Sequence, residues 1–190
     1  MAKPAVFLDR DGTINEQVGY VNHPDRFWLL AGAAQAIRRL NDASVPVFVV
    51  SNQAGAARGY FPEELIEVVN DKMRRLLDVE AGAHIDGLYF CPHHPSSALP
   101  HLAVDCTCRK PKTGMLEQAA ADNDLDLCKS YVVGDRMGDV QLGHRVGAKG
   151  ILVLTGYGKG ENDFMKDTNP DYVADDLGRA VDWILEDMGG

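Results

Sequence analysis

Continuous apolar runs that alternate with stretches of helical periodicity constrain the fold of this chain more than any other feature. Runs of this kind are typical of strands that are covered on both faces, as in a parallel sheet. They predict strands at residues 3–8, 45–50, 87–90, 131–133 and 151–154, with a sixth short strand at 172–174. Helices are predicted between them at residues 31–43, 62–79, 113–122, 138–145 and 177–188. This order predicts an α/β fold, a doubly wound parallel sheet of the Rossmann-like type.

Length and charge narrow the class of protein. A chain of 190 residues is long enough for one well-cored domain, so we expect residues 1–190 to form a single domain. The net charge of −9 argues against a nucleic-acid binder, so an anionic substrate must be attracted by a local cationic pocket. No apolar run approaches the ~20 residues of a membrane span. Residues 1–4 leave no room for a signal peptide, so we expect a cytoplasmic protein that binds no membrane.

Polar side chains stand at the ends of the first four predicted strands. In chain order these residues are Asp9 with Asp11, Ser51, Cys91 and Asp135. Ligands of doubly wound sheets bind at the carboxyl ends of the strands. The pattern therefore predicts a functional site at this edge of the sheet.

The first of these strand ends, FLDRDGT at residues 7–13, carries two carboxylates. Asp9 and Asp11 are two residues apart, so they project to the same side of an extended backbone. Gly12 lets the chain turn sharply behind them. Two converging acids suit a magnesium ion, and one of them can also act as a nucleophile. The alternative is an ordinary turn at a strand end, where Asp and Gly are favoured in any case.

Three of the four cysteines are clustered between the end of the third predicted strand and the helix that follows it. These are Cys91, Cys106 and Cys108, whereas Cys128 stands apart and is read as a small apolar residue. In a reducing compartment, clustered cysteines indicate a bound metal rather than disulfides.

Four segments, taken together and in order, resemble the four motifs of the haloacid dehalogenase superfamily of phosphatases. They are DRDGT at residues 9–13, Ser51 after an apolar strand, Lys110 before a helix, and GDRMGD at residues 134–139. The resemblance covers about the whole chain, and the ordered set is more specific than any one motif. It implies the same doubly wound fold without a large cap domain.

Two further segments are similar to one branch of that superfamily. CPHH at residues 91–94 and CTCRK at residues 106–110 resemble the zinc loop shared by heptose-bisphosphate phosphatases and histidinol-phosphate phosphatases. INEQVGYV at residues 14–21 and SNQAGAARG at residues 51–59 are closer to the heptose enzymes. The chain departs from the expected pattern at two positions, with Ala54 in place of a serine and Arg136 in place of a lysine.

The resemblance implies a role for each motif residue. Asp9 is the nucleophile that forms an aspartyl-phosphate, and Asp11 is first the general acid and then the base. Ser51 hydrogen-bonds a phosphate oxygen, and Lys110 balances the charge on Asp9 and the phosphoryl group. Asp9, the backbone carbonyl of Asp11, and Asp135 are the expected ligands of a catalytic Mg²⁺.

Asp139 has two interpretations of equal weight. It either anchors Lys110 or supports the metal site, or it only caps or solvates its own helix.

For the zinc loop, residues 91–110, the implied ligands are Cys91, His93, Cys106 and Cys108. Three thiolates and one imidazole suit tetrahedral Zn²⁺ and leave no open position, so the site is structural. His94 and His101 are alternatives to His93.

The expected function is that of a magnesium-dependent phosphomonoester hydrolase. It removes the 7-phosphate of a heptose 1,7-bisphosphate and leaves the 1-phosphate for nucleotide-heptose and lipopolysaccharide biosynthesis. The alternatives are a histidinol-phosphate phosphatase and, more distantly, a non-enzymatic zinc-stabilised interaction module. We expect a monomer whose partner is the small sugar bisphosphate. The expected substrate contacts are Gln17, Val18, Gly19, Tyr20, Ser51, Asn52, Gln53, Ala54, Arg58, Arg109 and Lys110.

Overall fold

Six parallel strands form one sheet in a computed structural model that describes residues 2–165 and 167–189. The strands are β1 (Val6–Leu8), β2 (Val47–Asn52), β3 (Gly87–Cys91), β4 (Tyr131–Gly134), β5 (Lys149–Val153) and β6 (Tyr172–Ala174). Their order across the sheet is β3-β2-β1-β4-β5-β6. The predicted doubly wound sheet is therefore confirmed, and no large cap domain accompanies it in the described ranges.

Six helices cover the two faces of the sheet and its edges. They are α1 (Ala33–Asp42), α2 (Leu65–Ala81), α3 (Gly114–Asn123), α4 (Met137–Arg145), α5 (Gly158–Phe164) and α6 (Leu177–Gly189). Short 3-10 turns occupy Pro24–Arg26 and Leu127–Lys129. Over the described residues, none of these helices combines the length and the apolar character that crossing a membrane requires.

The central strand β1 shows how the core is divided. Val6 and Leu8 point to the face that α1, α2 and α6 cover, and Phe7 points to the face that α3 and α4 cover. All three side chains are fully buried. Successive residues of a strand point to opposite faces, so a strand that is buried on both sides must be apolar throughout. This requirement explains the continuous runs in the sequence.

The chain reverses its direction of winding at β1. From β1 it proceeds outward through β2 and β3, and it then returns to β4 on the other side of β1. Leu8 is in register with Val49 of β2 and with Val133 of β4. The main-chain N–H of Asp9 extends the second pairing by donating to the Val133 carbonyl at 2.8 Å. A crevice for ligands opens where the strand order reverses in this way.

Several predicted boundaries are wrong by a few residues. β2 runs from Val47 to Asn52 instead of 45–50, so Ser51 lies inside the strand and not after it. β1 begins at Val6, and Lys3 makes only an isolated bridge with Leu125. The predicted second helix begins at Leu65, because the three residues from 62 form a turn before it. Helix α5 was not predicted, since its seven residues, GKGENDF, carry no apolar periodicity.

We expect Leu40→Ala in α1 to lower the free energy of unfolding by about 2–5 kcal/mol. Leu40 is fully buried, so its removal loses transfer free energy and leaves a cavity. The matched control is Val79→Ala in α2, where the side chain is 81 % exposed and the expected change is below about 0.5 kcal/mol. Urea denaturation followed by circular dichroism measures both. Equal losses in the two variants would contradict this assignment of the core.

Candidate active site

Three carboxylates converge at the carboxyl ends of β1 and β4. Asp9 follows β1, Asp135 follows β4, and Asp139 lies in the first turn of α4. One carboxylate oxygen from each lies within 4.8 Å of the others, and all three residues are buried. Buried acids repel one another unless a cation lies among them. The cluster is therefore a candidate site for a divalent cation.

The ammonium group of Lys110 lies against two of these carboxylates. Its Nζ is 2.7 Å from Oδ1 of Asp9 and 2.6 Å from Oδ1 of Asp139, and it also donates to the Val50 carbonyl at 2.9 Å. Burial alone opposes the charge on Lys110, but the two carboxylates outweigh it and raise the pKa of the lysine. Lys110 therefore stays cationic at any physiological pH.

Asp139 combines the two roles predicted for it. One carboxylate oxygen pairs with Lys110, and the other accepts from the main-chain N–H of Arg136 at 3.3 Å, which caps α4. The backbone at Gly134 passes so close that a Cβ there would lie 2.2 Å from Oδ2 of Asp139. Glycine at position 134 therefore makes room for this carboxylate.

Burial raises the pKa of two members of the carboxylate cluster. The pKa of Asp9 rises to about 7, because burial and the carboxylates of Asp139 and Asp135 together outweigh the opposing effect of Lys110. The pKa of Asp135 rises to about 6 for the same main reason, although the main-chain N–H of Tyr157 opposes the shift. At both positions, binding a proton or a metal ion is therefore more favourable than leaving the carboxylate charged and unneutralised.

Asp135 is enclosed by backbone. A Cβ at Gly12 would lie 2.1 Å from Oδ2 of Asp135, and one at Gly156 would lie 2.2 Å from it. Oδ2 accepts from the main-chain N–H of Tyr157 at 2.9 Å, whereas the buried Oδ1 has no hydrogen-bond partner among the described residues. An unpaired buried carboxylate oxygen on a member of an acidic cluster fits a metal ligand.

The carboxylate of Asp11 lies apart from the cluster. It accepts from Arg10 at 2.9 Å, from Asn15 at 2.9 Å and from Gln53 at 2.8 Å. Burial is the largest single influence and raises its pKa, but these three donors together outweigh it, so the pKa of Asp11 is lowered. The main-chain carbonyl of Asp11, the predicted metal ligand, accepts weakly from the Gln17 amide at 3.4 Å.

The last residues of β2 and the residue that follows it contact several of the predicted site residues. The Gln53 amide donates to Asp11 and to Oγ of Ser51, which places that hydroxyl beside the acids. The Asn52 side chain donates to the Lys110 carbonyl at 3.2 Å and accepts from the Lys110 N–H at 3.0 Å. Both amides are predicted substrate contacts, and in the structure they also make these internal hydrogen bonds.

A cleft of about 480 Å³ opens above the acids. It brings together Asp9, Asp11 and most of the predicted substrate contacts: Gln17, Gly19, Tyr20, Ser51, Asn52, Gln53, Ala54, Arg109 and Lys110. Val18 packs partly buried against the core, and Arg58 contacts Nε2 of His94 at 2.9 Å, so neither lines the cleft. Their roles in binding stay predictions.

The cleft also contains residues that the sequence did not indicate. Tyr157 and Glu161 line it, as does Arg136, which had been noted only as a departure from the family pattern. The Arg136 guanidinium lies 4.1 Å from the centroid of the Tyr157 ring, and Glu161 accepts from the main-chain N–H of Met137 at 3.0 Å. Tyr157 directly precedes α5 and Glu161 lies within it. The sequence of this helix carries no apolar periodicity that would predict it.

The predicted zinc ligands lie together at the base of the 91–110 loop. Sγ of Cys91 is 3.5 Å from Sγ of Cys106 and 2.8 Å from Sγ of Cys108, and Nδ1 of His93 is 3.3 Å from Sγ of Cys108. The edge of a tetrahedron of thiolates around Zn²⁺ is about 3.8 Å, since Zn–S is about 2.3 Å. Four soft ligands this close, with no disulfide between them, fit a closed metal site.

Comparison with known proteins places the chain in a family. A model of HAD-hydrolase-like proteins matches residues 107–180. A protein of Thermosynechococcus vestitus named D-glycero-D-manno-heptose-1,7-bisphosphate 7-phosphatase is 44 % identical, over 97 % of this chain and 96 % of that protein. The chain belongs to the haloacid dehalogenase superfamily of phosphatases. Within that superfamily, an Escherichia coli strain K12 protein named D-glycero-beta-D-manno-heptose-1,7-bisphosphate 7-phosphatase is 38 % identical over 99 % of the chain.

Solved structures of this superfamily share the fold. The structure of a D,D-heptose 1,7-bisphosphate phosphatase from B. bronchiseptica, complexed with magnesium and phosphate, has a TM-score of 0.87 and 34 % identity. The match covers 97 % of this chain and 99 % of that one. The similarity therefore extends over nearly the whole of both chains.

We expect the affinity for a divalent cation to rise with pH between about 5.5 and 8. Below their raised pKa values of about 7 and about 6, Asp9 and Asp135 hold protons that the cation must displace. Calorimetric titration with Mg²⁺ in phosphate-free buffer measures this dependence. Asp135→Asn is the control, in which binding weakens and the remaining dependence is shallower. An affinity that is constant across this range would contradict the cluster as the cation site.

Proposed function

We propose that this phosphatase removes the 7-phosphate from a heptose 1,7-bisphosphate with the help of Mg²⁺. The observation that carries the proposal is the convergence of the Asp9, Asp135 and Asp139 carboxylates, two of them paired with Lys110, with the Asp11 carboxylate held apart. This arrangement separates a nucleophile and cation site from an acid–base group, as phosphoryl transfer through an enzyme intermediate requires.

Asp9 and Asp11 divide the reaction between them. In the first half, an oxygen of Asp9 bonds to phosphorus while the bond from phosphorus to the sugar oxygen breaks, and Asp11 gives that oxygen a proton. In the second half, Asp11 takes a proton from a water whose oxygen bonds to phosphorus, and the bond to Asp9 breaks. The pKa of Asp11 is lowered before substrate binds. We infer that the negative charge of the incoming phosphate raises this pKa, so that Asp11 can take up a proton.

Lys110 and Ser51 hold the transferred group. The Lys110 ammonium is already fixed 2.7 Å from Asp9, so it needs no rearrangement to offset charge on the phosphoryl oxygens. The Ser51 hydroxyl, oriented by Gln53, donates to one of them. Asp9, the Asp11 carbonyl and Asp135 would hold a Mg²⁺, which would supply further positive charge near the phosphoryl group.

The donor chemistry supports magnesium for this site. All candidate ligands are oxygens, and the buried Oδ1 of Asp135, a member of the cluster, has no hydrogen-bond partner among the described residues. The B. bronchiseptica relative, which is 34 % identical, was crystallised with magnesium and phosphate. Both observations support the same assignment.

The names of the relatives support the substrate. Proteins named heptose-1,7-bisphosphate 7-phosphatase match at 38–44 % identity over most of the chain. Arg109 and Arg136 line the cleft, where a substrate with two phosphates needs a second cationic contact. The same chemistry and zinc loop would serve histidinol phosphate, which has only one phosphate. The predicted monomeric state, cytoplasmic location and single-domain organisation stay predictions.

We propose that the Cys91, His93, Cys106 and Cys108 cluster holds Zn²⁺ in a structural role. The pKa of Cys106 is lowered to about 6, because hydrogen bonds from Cys108 and from the main chain of Arg109 outweigh burial, so a thiolate ligand is available at neutral pH. The bound metal would fix the loop from which Arg109 and Lys110 enter the cleft.

A substrate panel with Mg²⁺ tests the function. We expect kcat/KM for heptose 1,7-bisphosphate to exceed that for histidinol phosphate by about 100-fold or more, because the cleft offers cationic groups that the second substrate leaves unpaired. Both anomers of the heptose belong in the panel. Asp9→Asn is the control and should lose turnover of every substrate while keeping the circular-dichroism spectrum of the parent. A preference for histidinol phosphate would refute the substrate, and an active Asp9→Asn would refute the nucleophile.

Elemental analysis tests the zinc site. We expect about one zinc per chain after purification without chelators. Cys106→Ser should lose the zinc and lower the thermal midpoint by about 5 °C or more. Cys128→Ser is the matched control, because Cys128 is exposed and lies outside the cluster, and it should keep both. Parent protein without zinc, or a Cys106→Ser variant that retains it, would contradict the site.

A further inference from the structure

Arg10 is a buried cation that has no role in the proposed reaction steps. Its side chain is 1 % exposed and is among the largest fully buried side chains of the described residues. The residue stands between Asp9 and Asp11, so its backbone directs the side chain away from the cleft and into the core beneath α2. A charged side chain in such a place calls for an explanation.

Two groups hold the Arg10 guanidinium. Nη1 donates to Oδ1 of Asn70 in α2 at 2.9 Å, and Nη2 donates to Asp11, at 2.9 Å to Oδ2 and 3.2 Å to Oδ1. Asn70 is itself only 1 % exposed, and the ring centroid of the buried Phe27 lies 5.9 Å from the guanidinium carbon. The guanidinium therefore has a fixed orientation.

Packing does not explain the choice of arginine. Nε of Arg10 and Nδ2 of Asn70 are buried and have no hydrogen-bond partner within the described ranges. Unpaired buried donors and a desolvated charge both oppose folding, and an apolar side chain of similar volume would fill the same space without either cost. The pair of residues is better explained by what it does to Asp11.

Asp11 needs to be kept away from the neighbouring carboxylates. Two residues apart on an extended backbone, Asp9 and Asp11 would project together. An acid that coordinates a cation through its carboxylate cannot also carry a proton to the leaving oxygen. In the structure the carboxylate cluster takes Asp9, Asp135 and Asp139, and the Asp11 carboxylate turns to its three donors instead.

We propose that Arg10, oriented by Asn70, is the positioning residue that keeps the Asp11 carboxylate out of the cation cluster and aimed at the leaving oxygen. Of the three donors to Asp11, Arg10 is the one that carries a charge. It also approaches from the core and not from the cleft, so substrate does not displace it. This inference rests on the proposed function and assigns a role to a residue that touches neither substrate nor cation.

The leaving group separates positioning from a merely structural role. Nitrophenolate leaves without protonation, so the first half of the reaction with 4-nitrophenyl phosphate does not need Asp11, whereas the second half does. With a sugar phosphate both halves need it. A residue that acts only through Asp11 therefore affects the two halves differently, and a residue that only supports the fold affects them equally.

The experiment compares the first turnover with the steady state in Arg10→Met. We expect nitrophenolate release in the first turnover to stay within about threefold of the parent, while the steady-state rate falls about 10–100-fold on both substrates. Stopped-flow absorbance then shows a burst of about one nitrophenolate per chain. Asn70→Ala should give the same pattern with a smaller loss, and it serves as the test if Arg10→Met does not fold.

Controls distinguish the possible failures. Arg38→Met makes the same chemical change at an exposed site on α1 and should keep the parent rates. If the first turnover of Arg10→Met and of Asn70→Ala falls as much as the steady state, Arg10 is structural only. If neither rate changes, Arg10 has no role in the reaction. A parent protein that hydrolyses no phosphomonoester with Mg²⁺ would instead refute the proposed function.

Discussion

The buried ion pairs of Lys110 are the interaction on which the rest of the site depends. A single ammonium group lies 2.7 Å from Asp9 and 2.6 Å from Asp139, and it also donates a hydrogen bond to the Val50 carbonyl. It thereby joins the ends of β1 and β2 to the first turn of α4. Three buried carboxylates this close would otherwise repel one another strongly. Because one cation already offsets part of that charge, the remaining space between Asp9 and Asp135 suits a second, divalent one.

The loop that delivers Lys110 has little core of its own. Residues 91–110 leave the sheet at the end of β3 and return through two of the four clustered ligands, Cys106 and Cys108. The Asn52 side chain then clamps both main-chain groups of Lys110. The position of Lys110 is therefore set from one side by a candidate metal site and from the other by the end of β2. Cys108, a candidate metal ligand, lies only two residues before Lys110 in the chain.

The sequence was informative wherever a side chain's position follows from a strand. Asp9 and Asp135 could be placed together because parallel strands end at one edge of the sheet, and Cys91 for the same reason. The sequence was uninformative where tertiary contacts determine whether a helix forms or how a side chain is oriented. Nothing local in GKGENDF indicates α5, so Tyr157 and Glu161 were missed. The orientation of the Asp11 carboxylate toward its three donors could not be predicted either. Alternation along the strand predicts that this carboxylate points to the same side as that of Asp9. Long-range partners overrode the local geometry.

The absence of a large cap domain leaves substrate selection to the cleft walls of the described chain. One wall is the segment from Gln17 to Val21, and the other carries Arg109 and Arg136. Acidic side chains slightly outnumber basic ones around this cleft, and the protein as a whole is negative, so a free phosphate dianion would be repelled without a bound divalent cation. A phosphate ester would therefore bind most tightly if one end contacted the cation and the other end contacted an arginine. Such a site favours a molecule with two phosphates, because the second phosphate can contact an arginine that a monophosphate does not reach.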